Sequence, residues 1–154
     1  MLVTGRKLPI GIQTFEDIRN DGYLYVDKTA LMWTIANIGK PFFLSRPRRF
    51  GKSLLISTFE AYFKGRRELF TGLAVEELEK KWEEHPVLHL DLNARKYTTP
   101  ADLDAILNQH LERWEAVYGE EKRDRASEER FAYVIRRASE QTGKGVVVLV
   151  DEYD

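Results

Sequence analysis

The sequence FFLSRPRRFGKSL, residues 42–54, joins a short apolar run to a glycine, a lysine and a serine. A standard phosphate-binding loop (P-loop) reads glycine, any four residues, glycine, lysine, then serine or threonine, and it connects a strand to a helix. Gly51, Lys52 and Ser53 supply the last three positions, and Arg46 stands where the first glycine is expected. The stretch therefore predicts a nucleotide-phosphate site, with the lysine on the outer phosphates and the hydroxyl on Mg²⁺.

The residues around the tripeptide add positive charge to this predicted loop. Guanidinium groups pair well with phosphate oxygens, so the three arginines favour anion binding over a merely solvated basic loop. Proline presets one backbone angle where the first glycine is missing. The predicted nucleotide-binding residues are Arg46, Pro47, Arg48, Arg49, Phe50, Gly51, Lys52, Ser53 and Leu54.

Strand and helix patterns alternate on both sides of the loop. Before it, Asp27 is expected to cap a helix over residues 28–37, and after it an apolar stripe predicts a helix that ends near Gly65. Further helices are predicted over residues 75–84, over 103–117, and from about 131 to the turn at 142–145, and strands over 42–44, 87–92 and 146–150. This alternation predicts an α/β fold with a mostly parallel sheet and flanking helices, of the P-loop NTPase type.

A second acidic signal follows the last predicted strand. The run Val146–Val150 is wholly apolar, which predicts a strand covered on both faces, and Asp151 and Glu152 come directly after it. Ligands of parallel α/β sheets bind at the carboxyl ends of strands. We therefore expect Asp151 to ligate Mg²⁺ with Ser53, and Glu152 to polarise the attacking water.

Composition limits the class of protein. The 154 residues are 43% hydrophobic and 32% charged, which fits one soluble domain over residues 1–154. The net charge of −1 supplies no general field for nucleic acid. Without a cysteine or a long apolar segment, the chain is expected to be cytoplasmic, with no membrane contact.

Four segments of the sequence carry a family resemblance: Pro9–Phe15, Gly22–Thr29, Arg46–Leu54 and Val150–Asp154. They resemble the bacterial AAA-ATPase-like proteins, in which a carboxyl-terminal nuclease-like domain of the PD-(D/E)XK type is common. In that family the arginine-rich lead-in normally replaces the first glycine of the P-loop.

The resemblance implies ATP and Mg²⁺ as ligands. It implies that Lys52 binds the phosphates, that Ser53 and Asp151 ligate Mg²⁺, and that Glu152 activates the attacking water. Similar proteins continue with further strands, so we expect this chain to be an amino-terminal part with an incomplete sheet and weak or no hydrolysis by itself. Nucleotide state would then control an effector or a contact between copies of the chain, and nucleic acid would be reached through the nuclease-like domain.

Other interpretations of the same residues remain open. The loop could hold a nucleotide or another anion without turnover, in which case Glu152 has no role. Its arginines could also join Arg66 and Arg67 in a nucleic-acid patch. Tyr23, Tyr25 and Trp33 are candidates for stacking on adenine, although core packing is the favoured interpretation. The three histidines are too scattered for a metal site, and His110 is expected to be a packed or surface residue.

Overall fold

A computed structural model of the chain describes residues 5–12, 14–40, 52–92, 96, 98–120 and 125–151. It divides into two compact units, Met1–Glu84 and His85–Asp154. The described residues form a mixture of helices with one small parallel sheet of two strands. The predicted strand at residues 42–44 lies outside the described residues, and the single domain expected from the sequence stays a prediction.

The first unit is helical in the part that the structure describes. Its helices are α1 (Phe15–Asn20), α2 (Thr29–Ala36), α3 (Lys52–Phe63), a 3-10 helix (Arg67–Phe70) and α4 (Ala74–Leu78). The helices predicted before and after the P-loop are confirmed as α2 and α3. The helix α1 was not predicted, and the helix expected over residues 75–84 ends at Leu78.

The early end of α4 has a local cause at Glu79, whose backbone is extended with ψ of 123°. Its carboxylate accepts hydrogen bonds from the Tyr62 hydroxyl, from the Trp33 indole N–H at 3.3 Å and from the Lys81 amide at 3.1 Å. Burial raises the pKa of Glu79, but these hydrogen bonds outweigh it and hold the pKa below its usual value. Glu79 therefore accepts tertiary hydrogen bonds from α2 and α3 instead of continuing the helix.

Aromatic rings form much of the core of the first unit. Phe15 and Phe70 are both fully buried, with ring centroids 4.8 Å apart. Tyr62 of α3 meets Phe70 edge-on, and Phe59 of α3 is buried too, so the apolar stripe predicted for this helix does face the core. Side chains of this size supply most of the burial that holds a small helical unit together.

Asp27 and Thr29 join the start of α2 to the start of α4. The Asp27 carboxylate accepts from the Thr29 amide at 2.9 Å and from the Ala74 amide at 2.8 Å. The buried Thr29 hydroxyl donates to Asp27 and accepts from the Val75 amide at 3.1 Å. The first amides of a helix have no partner within it, so these two side chains satisfy free donors of both helices.

The second unit is built on a parallel pair of strands, β1 (Val87–Asp91) and β2 (Val147–Asp151). Between them along the chain run α5 (Pro100–Tyr118) and α6 (Ser127–Thr142). A capping box between Thr99 and Asp102 begins α5, and Gly143 ends α6 in the left-handed conformation. These four elements confirm the strand-helix-helix-strand order predicted from the sequence.

The core of the second unit lies between β1 and its two helices. Leu88, Leu111 and Val134 are fully buried there. Beside Leu88 in the register, Val148 is 39% exposed, and Val150 further along β2 is 47% exposed. The expectation that both faces of β2 are covered is therefore wrong for the described residues, because α5 packs on β1 and leaves the neighbouring strand more open.

Polar side chains also connect α5 to α6. Arg130 forms an ion pair with Glu115, and both side chains are almost completely buried, at 11% and 5% exposure. The Arg130 guanidinium donates a further hydrogen bond to the Asn108 side chain at 2.6 Å. Removing one member of such a pair leaves the other charge buried without compensation.

We therefore predict that Arg130→Met lowers the free energy of unfolding by about 3–5 kcal/mol, the usual cost of breaking a buried ion pair. The matched control is Arg136→Met on the same helix, where the guanidinium is exposed and lies 4.0 Å from Glu140. The control should cost less than about 1 kcal/mol. Urea unfolding followed by circular dichroism measures both, and equal losses would contradict the role given to Arg130.

The lowered pKa of Asp27 predicts that the stability of the folded chain depends on pH. Burial raises the pKa of Asp27, but the hydrogen bonds from Thr29 and Ala74 lower it more, so the folded pKa lies below the unfolded value. Its contribution is therefore present above about pH 4 and is lost as the pH falls through the lowered pKa. Asp27→Asn keeps one acceptor oxygen and loses the other, so it should cost about 1 kcal/mol at pH 7, the usual contribution of one hydrogen bond.

Unfolding measured from pH 7 to pH 2 should show the difference between wild type and Asp27→Asn shrinking below about pH 4. The exposed Asp21, also in the first unit, provides the control variant Asp21→Asn. A difference between wild type and Asp27→Asn that stays constant over this pH range would show that the charge of Asp27 contributes nothing.

Candidate functional site

Lys52 and Ser53 occupy the first turn of α3, and both are half-buried. The amides of a first helical turn point away from the helix, and the helix dipole adds partial positive charge there. Both properties suit a phosphate group. Residues Arg46–Gly51 lie outside the described residues, so their role in binding stays a prediction.

The next turn of α3 is fixed by hydroxyl groups. The Leu54 carbonyl accepts from the Ser57 hydroxyl at 2.8 Å and from the Thr58 hydroxyl at 2.7 Å. The Ser57 oxygen also accepts from the Phe15 amide at 2.9 Å, at the start of α1. The beginning of the helix that carries Lys52 is thus tied to a second helix within the same unit.

Tyr25, one of the adenine-stacking candidates, lies in this same packing. Its ring meets Phe15 edge-on at 5.2 Å. Burial is the main reason why the pKa of Tyr25 is raised. Trp33, another candidate, donates its indole N–H to Glu79. Both side chains therefore have structural contacts of the kind favoured from the sequence, and Tyr23 is half-buried.

Asp151 is the last residue of β2 and is 8% exposed. It lies in register with Asp91, the last residue of β1, so two carboxylates stand side by side at the carboxyl end of the sheet. Beyond this pair the Leu92 amide donates to the Asp151 carbonyl at 2.9 Å. Glu152, the predicted water-activating residue, lies outside the described residues.

His110 of α5 reaches the same end of the sheet, which the sequence did not reveal. Its Nε2 lies 3.1 Å from the Asp91 carbonyl oxygen, and its ring stacks on Trp114 with centroids 5.6 Å apart. The side chain is 8% exposed. Of the two expected environments, packed or surface, His110 therefore has the packed one. The only sequence signal was the position of His110 beside the apolar stripe of α5.

The predicted metal ligands, Ser53 and Asp151, are oxygen donors, the class that Mg²⁺ prefers. They belong to different compact units, Ser53 to the first and Asp151 to the second, and each is described within its own unit. Mg²⁺ in nucleotide sites is usually held by one or two protein oxygens together with phosphates and water. The donor chemistry of the two residues therefore fits the ion. No group of three or more histidine, aspartate or glutamate side chains placed to hold a metal ion occurs among the described residues.

Arg66, a member of the alternative nucleic-acid patch, is paired with acidic side chains. It lies 2.8 Å from Glu16 and 3.1 Å from Glu68. Its neighbour Arg67 is exposed. The three loop arginines of that patch lie outside the described residues. Among the helices that the structure describes, none has the length and apolar character needed to cross a membrane.

Comparisons with known proteins give one family match and one similar bacterial protein. The profile of a family described as "Predicted AAA-ATPase" matches residues 9–154. The chain is 43% identical over 153 residues to an Azotobacter chroococcum protein titled "Uncharacterized protein in vnfD 5'region". That alignment covers 97% of this chain and 29% of the relative, so the chain spans less than a third of the relative's length. No solved structure matches.

Proposed function

This chain belongs to the AAA-ATPase-like family, and from that premise we propose that it is a P-loop domain that binds Mg²⁺-ATP. The observation that carries the proposal is the position of Lys52 and Ser53 in the first turn of α3, the helix that follows the predicted loop. A lysine and a hydroxyl at that position are what phosphate and Mg²⁺ binding require.

Each residue has a distinct proposed role. Lys52 pairs with the outer phosphates, and the arginines of residues 46–49 add charge along the nucleotide. Ser53 and Asp151 offer oxygen ligands to Mg²⁺, which screens the negative charge of the phosphates. Glu152 orients and deprotonates the attacking water.

The parallel pairing of β1 and β2 supports this proposal. Asp151 ends a parallel strand, and ligands of open parallel sheets bind at that end. The connection through two helices is the kind that parallel strands require. We propose that residues 42–44 form the strand before the P-loop and belong to the same mostly parallel P-loop NTPase sheet.

Hydrolysis is proposed to depend on more than this chain supplies. The alignment with the Azotobacter relative covers only 29% of that protein, so other segments of a longer protein are available to contribute to turnover. We propose that the chain alone turns over ATP weakly or not at all. In a longer protein, nucleotide state would govern a contact between copies or an attached effector such as a nuclease-like domain, in the cytoplasm.

The alternative of a nucleic-acid patch receives less support. Arg66 pairs with Glu16 and Glu68, which neutralises much of its charge locally. Affinity for nucleic acid grows with the number of cationic groups that remain to contact phosphates. A non-hydrolysing nucleotide or anion site remains the second candidate, since it needs the same Lys52 but not Glu152.

We predict that Lys52→Ala weakens Mg²⁺-ATP binding by about 10- to 100-fold, because hydrogen bonds to charged groups contribute about 1.5–3 kcal/mol. Isothermal titration calorimetry on the purified chain measures the affinity. The matched control is Lys64→Ala, directly after the other end of α3, where the ammonium pairs with Glu60 at 2.7 Å and stays exposed. An affinity equal to that of the wild type in both variants would show that Lys52 does not bind the phosphates.

A second variant separates binding from turnover. Glu152→Gln keeps the size of the side chain and removes the base, so we expect unchanged Mg²⁺-ATP affinity and a fall in phosphate release of about 100-fold or more. Phosphate release is measured at saturating ATP in a longer protein that contains this domain, because the 154-residue chain is proposed to turn over ATP weakly or not at all. A measurable rate that is the same in wild type and variant would exclude Glu152 as the base.

A further inference from the structure

We propose that His110 is a positioning residue for the Mg²⁺ ligand Asp151, acting through the peptide group that joins Asp91 to Leu92. The inference rests on the proposed function, since it concerns the same site. His110 is 19 residues from Asp91 in sequence and on a different element, so only the folded chain brings them together.

A single peptide group connects the two residues. Its carbonyl oxygen, on Asp91, lies 3.1 Å from Nε2 of His110. Its N–H, on Leu92, donates to the Asp151 carbonyl at 2.9 Å. A carbonyl oxygen can only accept, so Nε2 must carry the proton and donate it. The orientation of the imidazole thus sets the plane of the peptide that holds the backbone of Asp151.

The imidazole itself has little freedom to move. It is 8% exposed and stacks on Trp114, whose ring in turn packs against Phe131 at 5.5 Å. It projects from α5, a helix of 19 residues with a capping box at its start. A donor held this firmly can fix the peptide plane that it contacts.

The contact lies where the sheet ends. Asp91 and Asp151 are the last paired residues of β1 and β2, and the Leu92 amide makes the last backbone hydrogen bond of the pair in the described part of the chain. Strand ends lack the support of a continuing ladder, so one added hydrogen bond has a larger effect there. His110 therefore influences the placement of Asp151, the described acidic residue of the proposed site.

Three variants test the inference in the 154-residue chain. His110→Phe keeps an aromatic ring against Trp114 and removes the donor. His110→Gln restores an N–H donor near the position of Nε2. The matched control is His85→Phe, because Nδ1 of His85 lies 3.0 Å from the Gly145 carbonyl near the opposite end of the same two strands.

The measurement is the ratio of ATP affinity with Mg²⁺ to ATP affinity with EDTA. We expect His110→Phe to lower this ratio by about 10-fold or more, the usual effect of removing a group that orients a metal ligand. His110→Gln should recover most of the wild-type ratio, and His85→Phe should leave it unchanged. Affinity for ATP in EDTA should stay the same in every variant, which a general loss of folding would not produce.

The outcomes separate the inference from the proposed function. A wild-type chain whose ATP affinity does not respond to Mg²⁺ would overturn the proposed function, and the inference with it. A normal wild-type response together with an undiminished response in folded His110→Phe would overturn the role of His110 alone. If His110→Phe does not fold, the ¹⁵N resonances of the wild-type imidazole decide: a proton on Nδ1 and none on Nε2 would exclude the hydrogen bond.

Discussion

The rest of this structure depends on one constraint: the backbone groups at the ends of its short helices and strands need hydrogen-bond partners. A helix of five to eight residues leaves most of its amides or carbonyls without partners inside it. In the first unit, side chains of Asp27, Thr29 and Ser57 satisfy the first amides of neighbouring helices. In the second unit, His110 donates to a carbonyl oxygen at a strand end. Elements that could not persist alone thereby become parts of a packed unit.

The same contacts organise the candidate site. The turn that carries Lys52 and Ser53 is followed by a turn whose carbonyl at Leu54 accepts two hydroxyls, one of which is bound to α1. Asp151 is held by a parallel partner strand and by the peptide that His110 contacts. Binding of a charged ligand benefits from side chains that are placed before the ligand arrives. Three of the residues in these contacts, Phe15, Leu54 and Asp151, also lie in segments that carry the family resemblance.

Much of the fold could be predicted from periodicity and end signals. The four elements of the second unit appear in their predicted order, because α5 has a long apolar face and a capping box and β2 is a continuous apolar run. The helix α6 begins earlier than predicted, at Ser127. Three features escaped prediction for physical reasons. The helix α1 has six residues, too few to show a hydrophobic period. The helix α4 ends where the Glu79 carboxylate accepts hydrogen bonds from Tyr62 and Trp33. The exposure of Val150 depends on which strand α5 covers.

For the candidate site, the sequence by itself determined the residue types and their order: a lysine and a serine at the start of a helix, and an aspartate after a strand. Chemical type and local period are properties of neighbours along the chain, so they can be read without a fold. Only the tertiary structure decided that Asp91 stands beside Asp151, and that His110 reaches the peptide between Asp91 and Leu92. Register and long-range hydrogen bonds depend on how separate elements pack, and no pattern within one element encodes that.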